Sequence, residues 1–148
     1  MKVYRISAVT LIIKNMKRSC NFYSHIPGFK LVYGGSSYDS FSTYEIDKKF
    51  NTTIKMYLNL ELSKNNHYSH NRLIRHFGRI IFHTKDVDKL YFFLKNKNKA
   101  SKDIIFENEP IDAPWGERYF HLREPDGYQL SFAMPIKKRK RRKRRKTG

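Results

Sequence analysis

Arg79 and His83 stand four residues apart in a short β-branched and apolar run, so on an extended strand they point to one face. An imidazole titrates near neutral pH and works as an acid or base, and a guanidinium beside it offers a permanent cation to an anionic group. Tyr57, Asn59 and Glu61 alternate in the same way along residues 54–62, which places a phenol, an amide and a carboxylate on one surface. Glu61 and His83 are therefore the two candidate catalytic side chains. Each residue also has a structural reading. His83 can be an exposed histidine, Tyr57 a sheet-packing residue, and Arg79 with Glu61 an ion pair across the sheet.

Other chemistries find little support in the sequence. His67, His70 and His76 cluster in the polar stretch 63–76, but their spacing fits no closed zinc site and no cysteine lies nearby, so a solvated loop is expected. The chain has no phosphate-cradling glycine loop and no Gly-x-Ser-x-Gly elbow. The single cysteine, Cys20, has no activating neighbour, rules out an intrachain disulfide framework and suits a reducing compartment. The apolar stretch 8–13 is too short for a signal core or a membrane span, so the expectation is an intracellular, cytoplasmic protein that is not secreted.

Formal net charge is +18, and Lys137, Lys138, Arg139, Lys140, Arg141, Arg142, Lys143, Arg144, Arg145 and Lys146 are consecutive; without those ten cations the body carries +8. Such a run repels itself and cannot pack, so residues 137–148 read as a disordered polybasic tail. The ten side chains are the candidate nucleic-acid contacts, holding DNA or RNA nonspecifically through phosphates. A nuclear-import signal, an anionic-membrane patch and a solubilising extension are the other readings. No aromatic residue interleaves the run, so base stacking is not expected from it.

The elements that must position these groups repeat. A strand over residues 3–13 leads to Asn15, a helix cap, and to apolar residues at helical spacing over 16–23; Pro27 and Gly28 end that helix, and strands follow at 30–33, 41–46 and 54–62. The order begins again with a strand at 78–84, a helix at 86–97, a strand at 104–107, and a hairpin of strands 118–123 and 129–133. Its turn, Glu124-Pro125-Asp126-Gly127, has a proline that presets φ and a glycine that tolerates positive φ. Lys14-Asn15-Met16 recurs as Lys85-Asp86-Val87, and Phe22 as Phe93, each 71 positions on. A four-strand sheet with one helix leaves one face bare, so two copies must join around a cleft. The expected fold is α+β: two βαβββ modules, 1–62 and 77–136, joined by the linker 63–76 into a curved mixed sheet, with the tail at 137–148.

The repeat, the Phe22-Tyr23 helix leading into Ile26-Pro27-Gly28-Phe29-Lys30-Leu31, the Asp86-Val87-Asp88 helix start and the Pro-Asp-Gly hairpin resemble the vicinal oxygen chelate superfamily over residues 2–135. That group includes glyoxalase I, extradiol dioxygenases, fosfomycin-resistance transferases and bleomycin-resistance binding proteins. The resemblance implies four inward metal-ligand positions, normally His or Glu, which fall here on Ala8, Arg79, Ser131 and either Asn59 or Glu61. Stable binding needs at least three protein donors, so a degenerate site with no resident metal is expected. A divalent ion enters only if the strand register differs. The resemblance further implies that Tyr57 lines the cleft and that Trp115 and Arg118 close its mouth; as structural residues, Trp115 would staple its loop and Arg118 would face solvent.

The expected ligand-binding set is thus Arg79, Tyr57, Asn59, Trp115, Arg118 and Ser131, around a small anionic organic molecule. Bleomycin, a cation, suits a +8 body poorly. Two other readings stand: a nucleic-acid- or ribosome-associated accessory protein acting through its tail, and a metal-dependent lyase or dioxygenase. Monomer and homodimer are both open.

Overall fold

A computed structural model of the chain describes residues 6–46, 55–64 and 79–136. The first module consists of β1 (Ala8–Ile13), α1 (Met16–Ser24), β2 (Phe29–Tyr33), β3 (Phe41–Ile46) and β4 (Met56–Leu62). The second consists of β5 (Arg79–His83), α2 (Val87–Lys97), β6 (Ile105–Phe106), β7 (Ile111–Asp112), β8 (Glu117–Arg123) and β9 (Gln129–Pro135). Both helices start where the sequence places a cap: Asn15 Oδ1 accepts from Arg18 N at 2.9 Å, and Asp86 Oδ1 accepts from Lys89 N at 3.0 Å. The histidines His67, His70 and His76 and the whole basic run 137–146 lie outside the described residues.

The fold is α+β, with a mixed sheet in each module. Strand order is β1-β4-β3-β2 in one sheet and β5-β9-β8-β6 in the other, where β7 also pairs β8. β1 runs parallel to β4, and β5 parallel to β9, so the 71-residue repeat is a repeat of topology. It is not a repeat of burial throughout. Phe22 is buried, whereas Phe93 is 40% exposed with Lys97 Nζ 5.8 Å over its ring. β7 has only two residues and shows no alternation that sequence could reveal; it exists through its pairing of Ile111 with Tyr119 and Asp112 with Arg118.

Instead of one hydrogen-bonded sheet, two sheets share one buried core. Ring contacts cross the seam, from Tyr23 to Phe29 (6.2 Å), Phe29 to Phe82 (5.2 Å) and Phe82 to Phe132 (5.5 Å between centroids). The β8–β9 turn latches the modules together. Gly127 takes φ 89°, as the turn requires, but Asp126 reaches across to module 1, accepting from Lys14 N (3.0 Å), Arg18 Nη2 (3.1 Å) and Ser19 Oγ (3.1 Å). Tyr128 Oη donates to Ile12 O (3.0 Å) and accepts from Ile12 N (3.2 Å), which satisfies backbone on the β1 edge that β4 leaves free.

Candidate functional site

Strand alternation sorts the candidate residues. Leu58 and Leu60 enter the core, which turns Tyr57, Asn59 and Glu61 to the face away from α1. In module 2, Ile80 and Phe82 pack on the core and Arg79, Ile81 and His83 face the other way, joined there by Tyr119, His121 and Arg123 of β8 and Ser131 of β9. The register sets the rows: Ala8 pairs Tyr57, Thr10 pairs Asn59, Ile12 pairs Glu61, Arg79 pairs Gln129, and Ser131 pairs Ile81 and His121.

Arg79 and His121 meet on this helix-free face. Arg79 Nη1 lies 2.8 Å from His121 Nε2. A guanidinium only donates, so Nε2 accepts and the imidazole hydrogen sits on Nδ1, a buried atom without a partner. Burial, with the Arg79 charge second, holds the imidazole pKa below its ordinary value. Among the described residues no ion pair joins Arg79 to Glu61, so the structural pairing anticipated for Arg79 is replaced by the histidine contact. Next to it, Arg123 Nε donates to Glu107 Oε1 at 2.6 Å and Gln129 Nε2 donates to Glu107 Oε2. Burial opposes ionisation of Glu107, but these hydrogen bonds prevail and its pKa is lowered.

An aromatic ladder continues outward from His121. The Tyr119 ring lies 4.7 Å from His121, and Trp115 stacks on Tyr119 at 5.8 Å and 21°. Trp115 Nε1 donates to Glu117 Oε2 at 3.1 Å, and Glu117 Oε1 is 3.5 Å from His83 Nε2. Elsewhere Ala8, Tyr57, Ile81 and His83 join Phe29 and Phe82 around a cavity of about 460 Å³ at the seam between modules.

Arg118 stands apart from this set. It has the same strand parity as Phe120 and Leu122, faces the helix side, and holds Asp88 Oδ1 (2.7 Å) and Asp112 Oδ1 (2.7 Å). Expected beside Trp115 at a cleft mouth, Arg118 takes an ion-pair position at the start of α2. His121 is the residue that sequence reasoning missed. It faces Ser131 across the hairpin, so fixing the hairpin register would have found it.

The model of the Glyoxalase/Bleomycin resistance protein/Dioxygenase superfamily matches residues 5–132. The chain belongs to that superfamily. A glyoxalase/bleomycin resistance protein/dioxygenase from Nocardioides is 18% identical, with a TM-score of 0.62 over 95% of this chain and 89% of that one. A glyoxalase-related enzyme from Fulvimarina pelagi is 16% identical, with a TM-score of 0.63 over 88% of each chain. A superfamily member from Sphaerobacter thermophilus is 20% identical, with a TM-score of 0.59 over 88% of this chain and 97% of that one. At such identities these likenesses speak to fold alone. No curated protein gives a significant match.

The donor set can be judged on the superfamily's chelate positions. Ala8, Glu61, Arg79 and Ser131 lie in four different rows, offering respectively no donor, a carboxylate, a cation and a hydroxyl. Shifting the register adds a single conventional donor, because the row Thr10–Asn59 holds a hydroxyl and an amide, and the row Ile81–Ser131–His121 an alkyl group, a hydroxyl and one imidazole. Among the described residues no three His, Cys, Asp or Glu side chains group closely enough to hold a metal. These residues do not fit a chelated divalent ion. Among the described residues, no helix is long and apolar enough to cross a membrane.

Proposed function

We propose that this superfamily member binds a small anionic organic molecule on its helix-free face, with Arg79 doing electrostatically what a chelated metal does in metal-using relatives. The observation that carries the reading is the Arg79–His121 contact at 2.8 Å beside a buried, unpartnered Nδ1. The arginine supplies charge-assisted hydrogen bonds, and in a reaction it would stabilise a developing oxyanion. Tyr57, Asn59 and Ser131 are the polar lining, and His83 and Glu61 the acid–base candidates. The degenerate metal site is part of this proposal, and the donor set supports it.

Calorimetry with a panel of carboxylates and organic phosphates tests it. Saturable binding is expected in the native protein and loss of at least tenfold in affinity in Arg79→Ala, the size of one charge-assisted contact of about 1.5–3 kcal/mol. Unchanged binding in the variant would overturn the reading. So would a stoichiometric divalent ion in the purified protein, which would restore the metal-dependent lyase or dioxygenase alternative.

A second reading rests on the ten consecutive cations, which no packing requirement explains. In this reading the run holds DNA or RNA through phosphates. If all ten engage a duplex, log affinity falls against log salt with a slope near ~9, because each neutralised phosphate contributes about 0.9. Deleting 137–148 should then abolish retention on RNA or heparin. Retention that survives deletion would assign polyanion binding to the +8 body.

A further inference from the structure

We infer that the outer end of the module 2 face stacks unpaired bases of a single-stranded nucleic acid while the basic run directly after it holds the phosphates. This rests on the tail reading above and adds a base-contacting surface to it. Trp115 is the only tryptophan in the chain and is 69% exposed, so it fills no place in the core. One side of its ring is stacked on Tyr119, and its Nε1 is held by Glu117 at 3.1 Å. The ring is therefore oriented, with its polar edge satisfied and its other side free to take a base. Such platforms accept any base, since every base has a π-face.

The chain path joins this platform to the cations. Pro135 pairs with Glu117, and Ile136 N donates to Gly116 O at 2.9 Å, next to Trp115. Lys137, the first of the ten cations, follows Ile136 directly. Ten residues reach at most ~36 Å, enough for a strand that stacks at Trp115 to meet the run along several phosphates. Arg118 pairs with both Asp88 and Asp112, each at 2.7 Å, and so offsets one of their two charges; Glu117 accepts from Trp115 Nε1 at 3.1 Å, and the repulsion that remains is outweighed by the ten cations of the run. The basic run alone carries no aromatic residue, but the fold places one at its root. A duplex offers its phosphates without an open base face, so single strands are the ligand class.

The lone tryptophan is also the reporter. Full-length protein is titrated with a short oligothymidylate and, separately, with inorganic polyphosphate of equal charge, following tryptophan fluorescence and a label on each ligand. Oligothymidylate is expected to quench Trp115 and polyphosphate to bind without quenching. In full-length Trp115→Ala, oligothymidylate affinity should fall about tenfold, within the range of one base stack, with polyphosphate affinity unchanged. Trp115→Phe should recover most of the loss, which separates stacking from a folding defect. Equal binding of both ligands to native and Trp115→Ala protein, with no quenching, would overturn the stacking surface and leave the tail reading intact. Failure of both ligands to bind would overturn the two together.

Discussion

Asp126→Ala is expected to lower the free energy of unfolding by about 3 kcal/mol, read as a shift of the urea midpoint at constant m-value. The Asp126 side chain is fully buried at the seam and accepts from three donors of module 1: Lys14 N, Arg18 Nη2 and Ser19 Oγ. Removing it orphans a hydroxyl in Ser19, itself fully buried, and a backbone N–H at the start of α1. Arg18 would keep only the 4.0 Å contact with Asp103, and because Arg18 is one-third exposed the cost sits at the low end of the 3–5 kcal/mol usual for breaking a buried pair. Asp126→Asn retains one acceptor oxygen and should cost roughly half as much. A loss below about 1 kcal/mol in the alanine variant would mean that the turn does not latch the modules. The consequence extends to the candidate site. The same turn places Tyr128 on Ile12, which holds β1 beside the strand that carries Ser131.

The sequence reads well wherever local chemistry decides. Asn15 and Asp86 mark the two helix starts, and both cap as their side-chain chemistry requires. The hairpin flanks and the strand at 41–46 fall where alternation puts them. Legibility fades where register between distant segments decides. Ala8, Arg79 and Ser131 were aligned by repeat and resemblance, but rows are set by inter-strand pairing, which puts Ser131 opposite His121 and Arg79 opposite Gln129. Arg118 illustrates a different loss. In Arg118-Tyr119-Phe120-His121-Leu122 the parity that buries Phe120 and Leu122 also sends Arg118 to the helix side, a rule available in the sequence and outweighed by its position before the hairpin. The seam cavity draws its walls from β1, β4 and β5 and from the entry to β2, so no window of sequence could contain it.

Raising the pH from about 4.5 to about 7 is expected to stabilise Glu124→Gln relative to the native protein by on the order of 3 kcal/mol. Burial, with the charge of Asp126 second, pushes the Glu124 carboxyl from 4.5 up to about 7. Below 4.5 the carboxyl is protonated in both folded and unfolded chains and contributes no pH dependence. Between 4.5 and 7 the unfolded chain releases this proton and the folded chain keeps it, so native stability falls as pH rises; above 7 both states are ionised and the loss is complete. Glutamine has no proton to lose. Its Oε1 can accept from Asp126 N and Tyr128 N as Glu124 Oε1 does, at 2.7 and 3.1 Å, and its amide can face Tyr23 Oη. His121, whose pKa is lowered, destabilises the native state toward acid over a neighbouring range, but it is common to both proteins and cancels in the difference. Glu107 and Asp88, also lowered, act below their ordinary values of 4.5 and 3.8. Urea unfolding of the two proteins at pH 4.5, 6 and 8 reads the difference directly. A constant difference across that range would show that Glu124 ionises as freely in the fold as in the unfolded chain, and the latch would then be insensitive to pH.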